Sequence, residues 1–242
     1  MAGEVRIGLA GWTEAVGRFR SFYPLPPDID RPTGLQRYAH SFDFAEINAS
    51  FYRRMRRSTF EKWAQDTPAD FGFSVKMYRG LTHFHRLKDT SDLEGFIDSI
   101  EGLGGKLLAV LVQLPPSLAF DSDIVSSFFV ALRRMYAGPV ACEPRHASWE
   151  SSDVAAMLGD LDVGIVRVSI PAVDEPAGPG PVYVRLHGSP RRYFSSYDTE
   201  DLQRLAAWLG GHPAHRRFVV FDNTASSAAT RNARELRDLI AH

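Results

Sequence analysis

Four short stretches of the 242-residue chain hold the side chains best suited to chemistry. Glu143, Arg145 and His146 fall within one E-P-R-H run, and Arg185 and His187 within R-L-H-G. Glu46 and Asn48 sit two residues apart, and Lys76 closes the run F-G-F-S-V-K. An acid, a guanidinium and an imidazole converging on one turn can act as a general acid–base with an anion clamp. The competing reading is an ion pair between Glu143 and a neighbouring cation. A lysine in such a place can form a Schiff base if burial lowers its pKa. Glu46 is expected to neutralise Lys76 from the adjacent strand, which favours Lys76 as an electrostatic contact over a nucleophile.

Glu143, His146, His187 and Glu46 are therefore the catalytic candidates. Lys76, Arg145, Arg185, Asn48, Tyr52, Gln113, Trp149, Tyr193 and Asn223 are the substrate-binding candidates. His83 and His85 form an H-x-H pair of the kind that binds metal. No H-E-x-x-H or clustered Asp/His array accompanies it, and Lys76 and Arg185 would repel a cation, so no metal site is assigned. No cofactor is identified: Gly-rich nucleotide motifs and a nucleophile elbow are both missing.

These residues need elements to position them. Eight β-rich runs alternate with helical patterns: Val5–Leu9, Phe42–Ile47, Phe71–Lys76, Leu108–Gln113, Val140–Glu143, Val163–Val168, Val182–His187 and Phe218–Asn223. The clearer helices are Thr59–Gln65, Asp92–Leu103, Ser122–Tyr136, Ser151–Gly159, Thr199–Leu209 and Ser226–Ile240. Acids after Thr199 and the Gly210–Gly211 pair mark a helix start and stop. Tyr23–Gly34 and Ser169–Pro181, rich in Pro and Gly, read as loops and not as linkers. Eight strands alternating with helices predict an α/β single-domain (β/α)8 TIM-type barrel over residues 1–242.

Alternate residues of a strand face opposite ways. Turning the more apolar set of each strand outward leaves Arg6, Glu46, Lys76, Gln113, Glu143, Arg145, Arg167, Arg185, His187 and Asn223 for the lumen. Most lie at C-terminal strand ends, where barrel enzymes place their chemistry. Five of these are permanent cations and two are carboxylates, an excess that an anionic ligand would balance, since unpaired buried charge is costly. Arg185, His187 and Gly188, followed by Arg191, Arg192 and Tyr193, resemble the phosphate-binding end of such barrels.

Composition excludes several classes. The formal net charge of −1 gives no global field toward nucleic acid or membrane. The single cysteine, Cys142, rules out a disulfide within the chain and a cysteine-built zinc site. The start MAGEVRIGLAGW lacks the basic flank and the apolar length of a signal peptide. No stretch approaches the length of a membrane span, so no membrane partner and a cytoplasmic location are expected.

The motifs also resemble a known family. GW with FYP (Gly11, Trp12, Phe22–Pro24), AEINASFYR (Ala45–Arg53) and W-x-x-x-TP-x-x-F-x-F-x-V-K (Trp63–Lys76) come first. LTHFHRL (Leu81–Leu87), QLPPS (Gln113–Ser117), E-P-RH-x-SW (Glu143–Trp149), VRLHG (Val184–Gly188) and FDN (Phe221–Asn223) follow in order. Together they resemble the YecE-like family, domain of unknown function 72. The resemblance covers nearly the whole chain and implies the same barrel, but no activity. The last strand departs from the family pattern, with Asp222 where Asn is usual.

The function expected from sequence is a barrel enzyme binding a small phosphorylated or carboxylated substrate at its C-terminal mouth. Arg185, Arg145 and Lys76 would hold the anion, and Glu143 with His146 or His187 would move protons. A nuclease- or repair-like nucleic-acid-binding protein is the alternative. It rests on Arg53, Arg54, Arg56, Arg57, Arg191 and Arg192 interleaved with aromatics. A non-catalytic ligand sensor is the third reading.

Overall fold

The structure, a computed structural model, describes residues 4–213 and 216–241. Strands β1 (Val5–Ala10), β2 (Phe44–Ile47), β3 (Gly72–Lys76) and β4 (Leu107–Gln113) form its first half. Strands β5 (Val140–Glu143), β6 (Val163–Ile165), β7 (Val182–Leu186) and β8 (Arg217–Phe221) form the second. The sheet runs β6-β5-β4-β3-β2-β1-β8-β7, and every pair is parallel. Arg167 nearly closes the ring: its amide donates to Tyr183, and the Arg185 amide donates back to the Arg167 carbonyl. This is the (β/α)8 barrel that the alternation predicts.

The major helices are α4 (Arg57–Gln65), α5 (Leu93–Ile100), α6 (Ser122–Met135), α7 (Ser152–Asp160), α8 (Thr199–Gly210) and α9 (Ala228–Ala241). Their starts have local causes. The carboxylates of Asp121 and Asp198 and the hydroxyl of Ser151 accept from the backbone amides of Ile124, Asp201 and Val154, satisfying donors that a helix N-terminus leaves open. Asp92–Leu103 is not one helix: α5 gives way at Glu101 to tighter turns ending at Lys106. Three short helices are absent from the sequence reading: α1 (Thr13–Arg18), α2 (Gly34–Ala39) and α3 (Ala49–Tyr52). The start of α2 was legible, because Thr33 and Gln36 form a capping box.

Two apolar layers hold the barrel. The larger packs outward-facing strand residues such as Ile7, Leu9, Val75, Val112 and Leu186 against the helices. The smaller fills the middle of the lumen with Phe44, Leu111, Val166, Tyr183, Phe218 and Val220. This inner layer corrects one assignment. Val166 points inward, and Arg167 points outward, to the Glu175 carboxylate and over the Trp208 ring. Placing the more apolar face outward fails where the lumen itself is apolar.

Candidate functional site

The strand ends carry a polar layer above that apolar filling. Arg185, 1 % exposed, is at its centre. Its Nε and Nη2 donate to Glu46 Oε2 and Oε1 at 3.0 and 2.8 Å, a two-pronged pair. Its Nη1 donates to Glu143 Oε2 at 2.7 Å, and Nη2 lies 3.4 Å from Asp222 Oδ2. Tyr183 donates to Glu46 Oε2 at 2.8 Å and shares a 2.7 Å hydrogen bond with Ser74. On the other flank Gln113 Nε2 and Arg145 Nη2 both donate to Glu143 Oε1, each at 2.9 Å. Parallel register sets this up, with Glu46 opposite Ser74 and Gln113 opposite Glu143.

Three expectations change here. Glu46 does not neutralise Lys76, because Arg185 and Tyr183 take its carboxylate. Arg185 is not an open anion clamp, because carboxylates already fill its fork. The cationic excess also disappears. Arg6 pairs with Glu4 and Asp43 at the other end of the barrel, Arg167 lies outside it, and Asp222 joins the layer. Arg185, Arg145 and Lys76 then face three carboxylates, Glu46, Glu143 and Asp222.

His187 follows β7 and is held by Asp222, with Nδ1 3.0 Å from Oδ2. An ionised carboxylate only accepts, so the proton of a neutral ring sits on Nδ1 and leaves a lone pair on Nε2. Nε2 is buried without a hydrogen-bond partner, 4.0 Å from Glu143 Oε1. The Tyr193 ring packs edge-on against the imidazole. Gly188 permits the turn that follows: its φ is +90°, and a Cβ there would lie 2.7 Å from the Ser195 carbonyl oxygen.

Lys76 differs from the other cations. No carboxylate among the described residues lies within 4.0 Å of its ammonium, which sits 4.1 Å from the centre of the Phe51 ring. Burial and the Arg185 cation push its pKa down to about 8, against the opposing pull of Glu46, Glu143 and Asp222. Glu143 goes the other way. Burial alone would raise its carboxyl, but Arg185 and Arg145 bring it down to about 2. A carboxylate so stabilised is a weak base and a strong fixed charge, so His187 is the better proton carrier.

The rim above Lys76 is cationic. Burial and the charges of Lys76, Arg145 and Arg79 push the His83 pKa down to about 4. Arg79 stacks near the rings of Tyr52 and Phe84, and its Nε is buried without a partner. The sequence reading missed Arg79, which lies in no strand. The Arg79–His85 segment coils into a wide helical turn that brings it there. His83 and His85 separate: His83 Nδ1 meets Thr82, while His85 pairs with Asp89. Among the described residues, no group of three or more His, Cys, Asp or Glu side chains is arranged to hold a metal ion.

Other candidates fall elsewhere. Asn223 is not a lumen residue: it donates to the Ser195 carbonyl and to Asn232, and Asp222 is the inward member of the pair. His146 caps its own turn, accepting from the Ser148 amide. Trp149 is 2 % exposed, with its indole N–H on the Leu118 carbonyl and its ring edge-on to Phe120. Tyr52 is exposed at the rim, beside Phe51. Asn48 begins α3, with a buried Oδ1 that no donor meets. The basic run is not one open face, because Arg54 pairs with Asp92, and Arg57 with Asp98 and Glu61. A cavity of about 500 Å³ beside Trp12, Arg20 and Arg37 shares no lining residue with the polar layer.

Eight parallel strands in a nearly closed ring, with a polar layer at their C-terminal ends, define a protein of the TIM-barrel class. Within that class the chain belongs to the family described as protein of unknown function DUF72, whose model matches residues 6–242. It is 26% identical to the UPF0759 protein YunF of Bacillus subtilis over 98% of this chain and 94% of that protein. The crystal structure of a DUF72 protein from Thermotoga maritima is 25% identical, covering 98% of this chain and 99% of that one, with a TM-score of 0.76. A methyltransferase from Methanosarcina mazei, at 10% identity and TM-score 0.58 over 99% of this chain and 93% of that one, shares the fold alone. No described helix is long and apolar enough to cross a membrane.

Proposed function

We propose that this protein is an enzyme acting at the C-terminal mouth on a small substrate with a phosphate or carboxylate group. One observation carries the reading: Arg185, Arg145 and Lys76 balance Glu46, Glu143 and Asp222, and Arg79 adds a further cation beside them that has no carboxylate partner among the described residues. An anion there meets Lys76 and Arg79, neither of which has a carboxylate partner among the described residues, without displacing the carboxylates bound to Arg185. His187 supplies proton transfer, because Asp222 fixes one ring nitrogen and the other has no hydrogen-bond partner. Glu143 supplies fixed negative charge and orients Arg145.

The test is thermal denaturation with a panel of phosphates and carboxylates, using the parent and Arg79→Ala. A ligand at 100 times its Kd stabilises by about 2.7 kcal/mol. At least one such anion is expected to raise the melting temperature of the parent, with the shift lost in Arg79→Ala. A panel that shifts neither protein, or both alike, overturns the reading. Stabilisation only by oligonucleotides would favour the nucleic-acid alternative instead.

A further inference from the structure

The mouth holds an amine that no ion pair in the structure accounts for. The chain has four lysines. Lys62 is exposed and pairs with Asp66, and Lys88 is exposed. Lys106 donates to the carbonyls of Ala64 and Thr67 and to the Thr67 hydroxyl. Among the described residues, Lys76 is the one lysine buried at a strand end with neither a hydrogen-bond acceptor nor a carboxylate partner, and the Phe51 ring packs over it. The residue as a whole is 8 % exposed. The carboxylate that would have tied it down, Glu46, is bound by Arg185 on both oxygens.

We infer that Lys76 is a covalent catalytic residue that forms an imine with an aldehyde or ketone whose anionic group rests on Arg79 and Arg145. This rests on the reading above and adds the class of reacting group. The amine attacks the carbonyl carbon, and the C–N bond forms as the C=O π pair moves to oxygen. Two of the three ammonium protons leave with that oxygen as water, and the third stays on the iminium nitrogen. Charge is therefore conserved, so Glu46, Glu143 and Asp222 face one positive charge at this position before and after the step. Burial and Arg185 favour the amine by bringing the pKa of Lys76 to about 8. The iminium withdraws electrons from the neighbouring carbon, and Nε2 of His187, which has no hydrogen-bond partner, is the base that takes its proton.

The experiment is reductive trapping of the full chain. The protein is incubated with glyceraldehyde 3-phosphate, pyruvate or uncharged glycolaldehyde, reduced with cyanoborohydride, and mapped by peptide mass spectrometry. Lys76 is expected to carry the adduct at about tenfold or more the level of Lys62 and Lys88. In Lys76→Arg, which keeps the charge, labelling at this position is expected to vanish while the melting-temperature shift with glycerol 3-phosphate persists. Labelling of Lys76 no stronger than that of the exposed lysines overturns the imine. If glycerol 3-phosphate still shifts the melting temperature in that case, the anion site stands and only the imine falls. Equal trapping of glycolaldehyde and its charged counterparts leaves the imine standing and removes the anion site.

Discussion

Arg185→Met is expected to cost the protein about 3–5 kcal/mol of folding stability at neutral pH, the penalty for removing one partner from a buried ionic network. Arg185 is 1 % exposed, and its guanidinium meets Glu46, Glu143 and Asp222. Methionine fills comparable space but donates nothing. Glu46 and Glu143 then stay buried, and Glu143 keeps only the half-buried Arg145 as a cation. The two carboxyls regain neutrality only by taking up protons. The loss should therefore shrink as pH falls toward 5. Denaturant unfolding at pH 7 and pH 5 reads both effects through the midpoint. A loss under about 1 kcal/mol at pH 7 would mean that these carboxylates are not held as described.

Lys76→Met has the opposite sign. Burial, with the Arg185 cation, moves the Lys76 pKa from its ordinary value of 10.5 to about 8. At 1.36 kcal/mol per unit, keeping the ammonium charged costs about 3 kcal/mol below pH 8. Its contact with the Phe51 ring returns about 1 kcal/mol. The burial cost is larger, so the variant should be about 2 kcal/mol more stable at pH 7, with methionine keeping the packing against Phe51. Between pH 8 and 10.5 the unfolded chain binds more protons at this lysine than the folded one. The parent therefore gains stability from this group as pH rises through that window, and the advantage of the variant fades there. Denaturation midpoints of both proteins from pH 7 to 10.5 check the sign.

Period-two alternation made much of this site visible in the sequence. Glu46, Lys76, Gln113, Glu143, Arg185 and His187 sit at strand ends with the inward parity expected of them, and the structure brings five of these six into one bonded or closely spaced layer, with Lys76 above it. The same rule reversed β6, because Val166 belongs to an apolar plug and Arg167 found Glu175 outside. It also slipped by one on β8. The run Arg217–Phe221 is buried throughout, so nothing in it tells the two faces apart, and alternation points to Asn223 where the inward residue is Asp222. Partner choice was less legible than position. Three cations compete for Glu46 and Glu143, and a one-dimensional pattern cannot show that Arg185, arriving from across the lumen, takes both. Arg79 was out of reach for another reason. It belongs to a turn whose geometry depends on packing, not on periodicity.

The sharpest probe of the mouth is the ionisation of Lys76 itself, followed by NMR of protein labelled at the lysine ε-carbons. Four lysines make the assignment tractable, with Lys76→Met identifying the signal. A midpoint near pH 8 is the outcome required of an unpaired, buried amine. A midpoint above about 10, in the ordinary lysine range, would place Lys76 in solvent or against a carboxylate and contradict both the cationic rim and the imine.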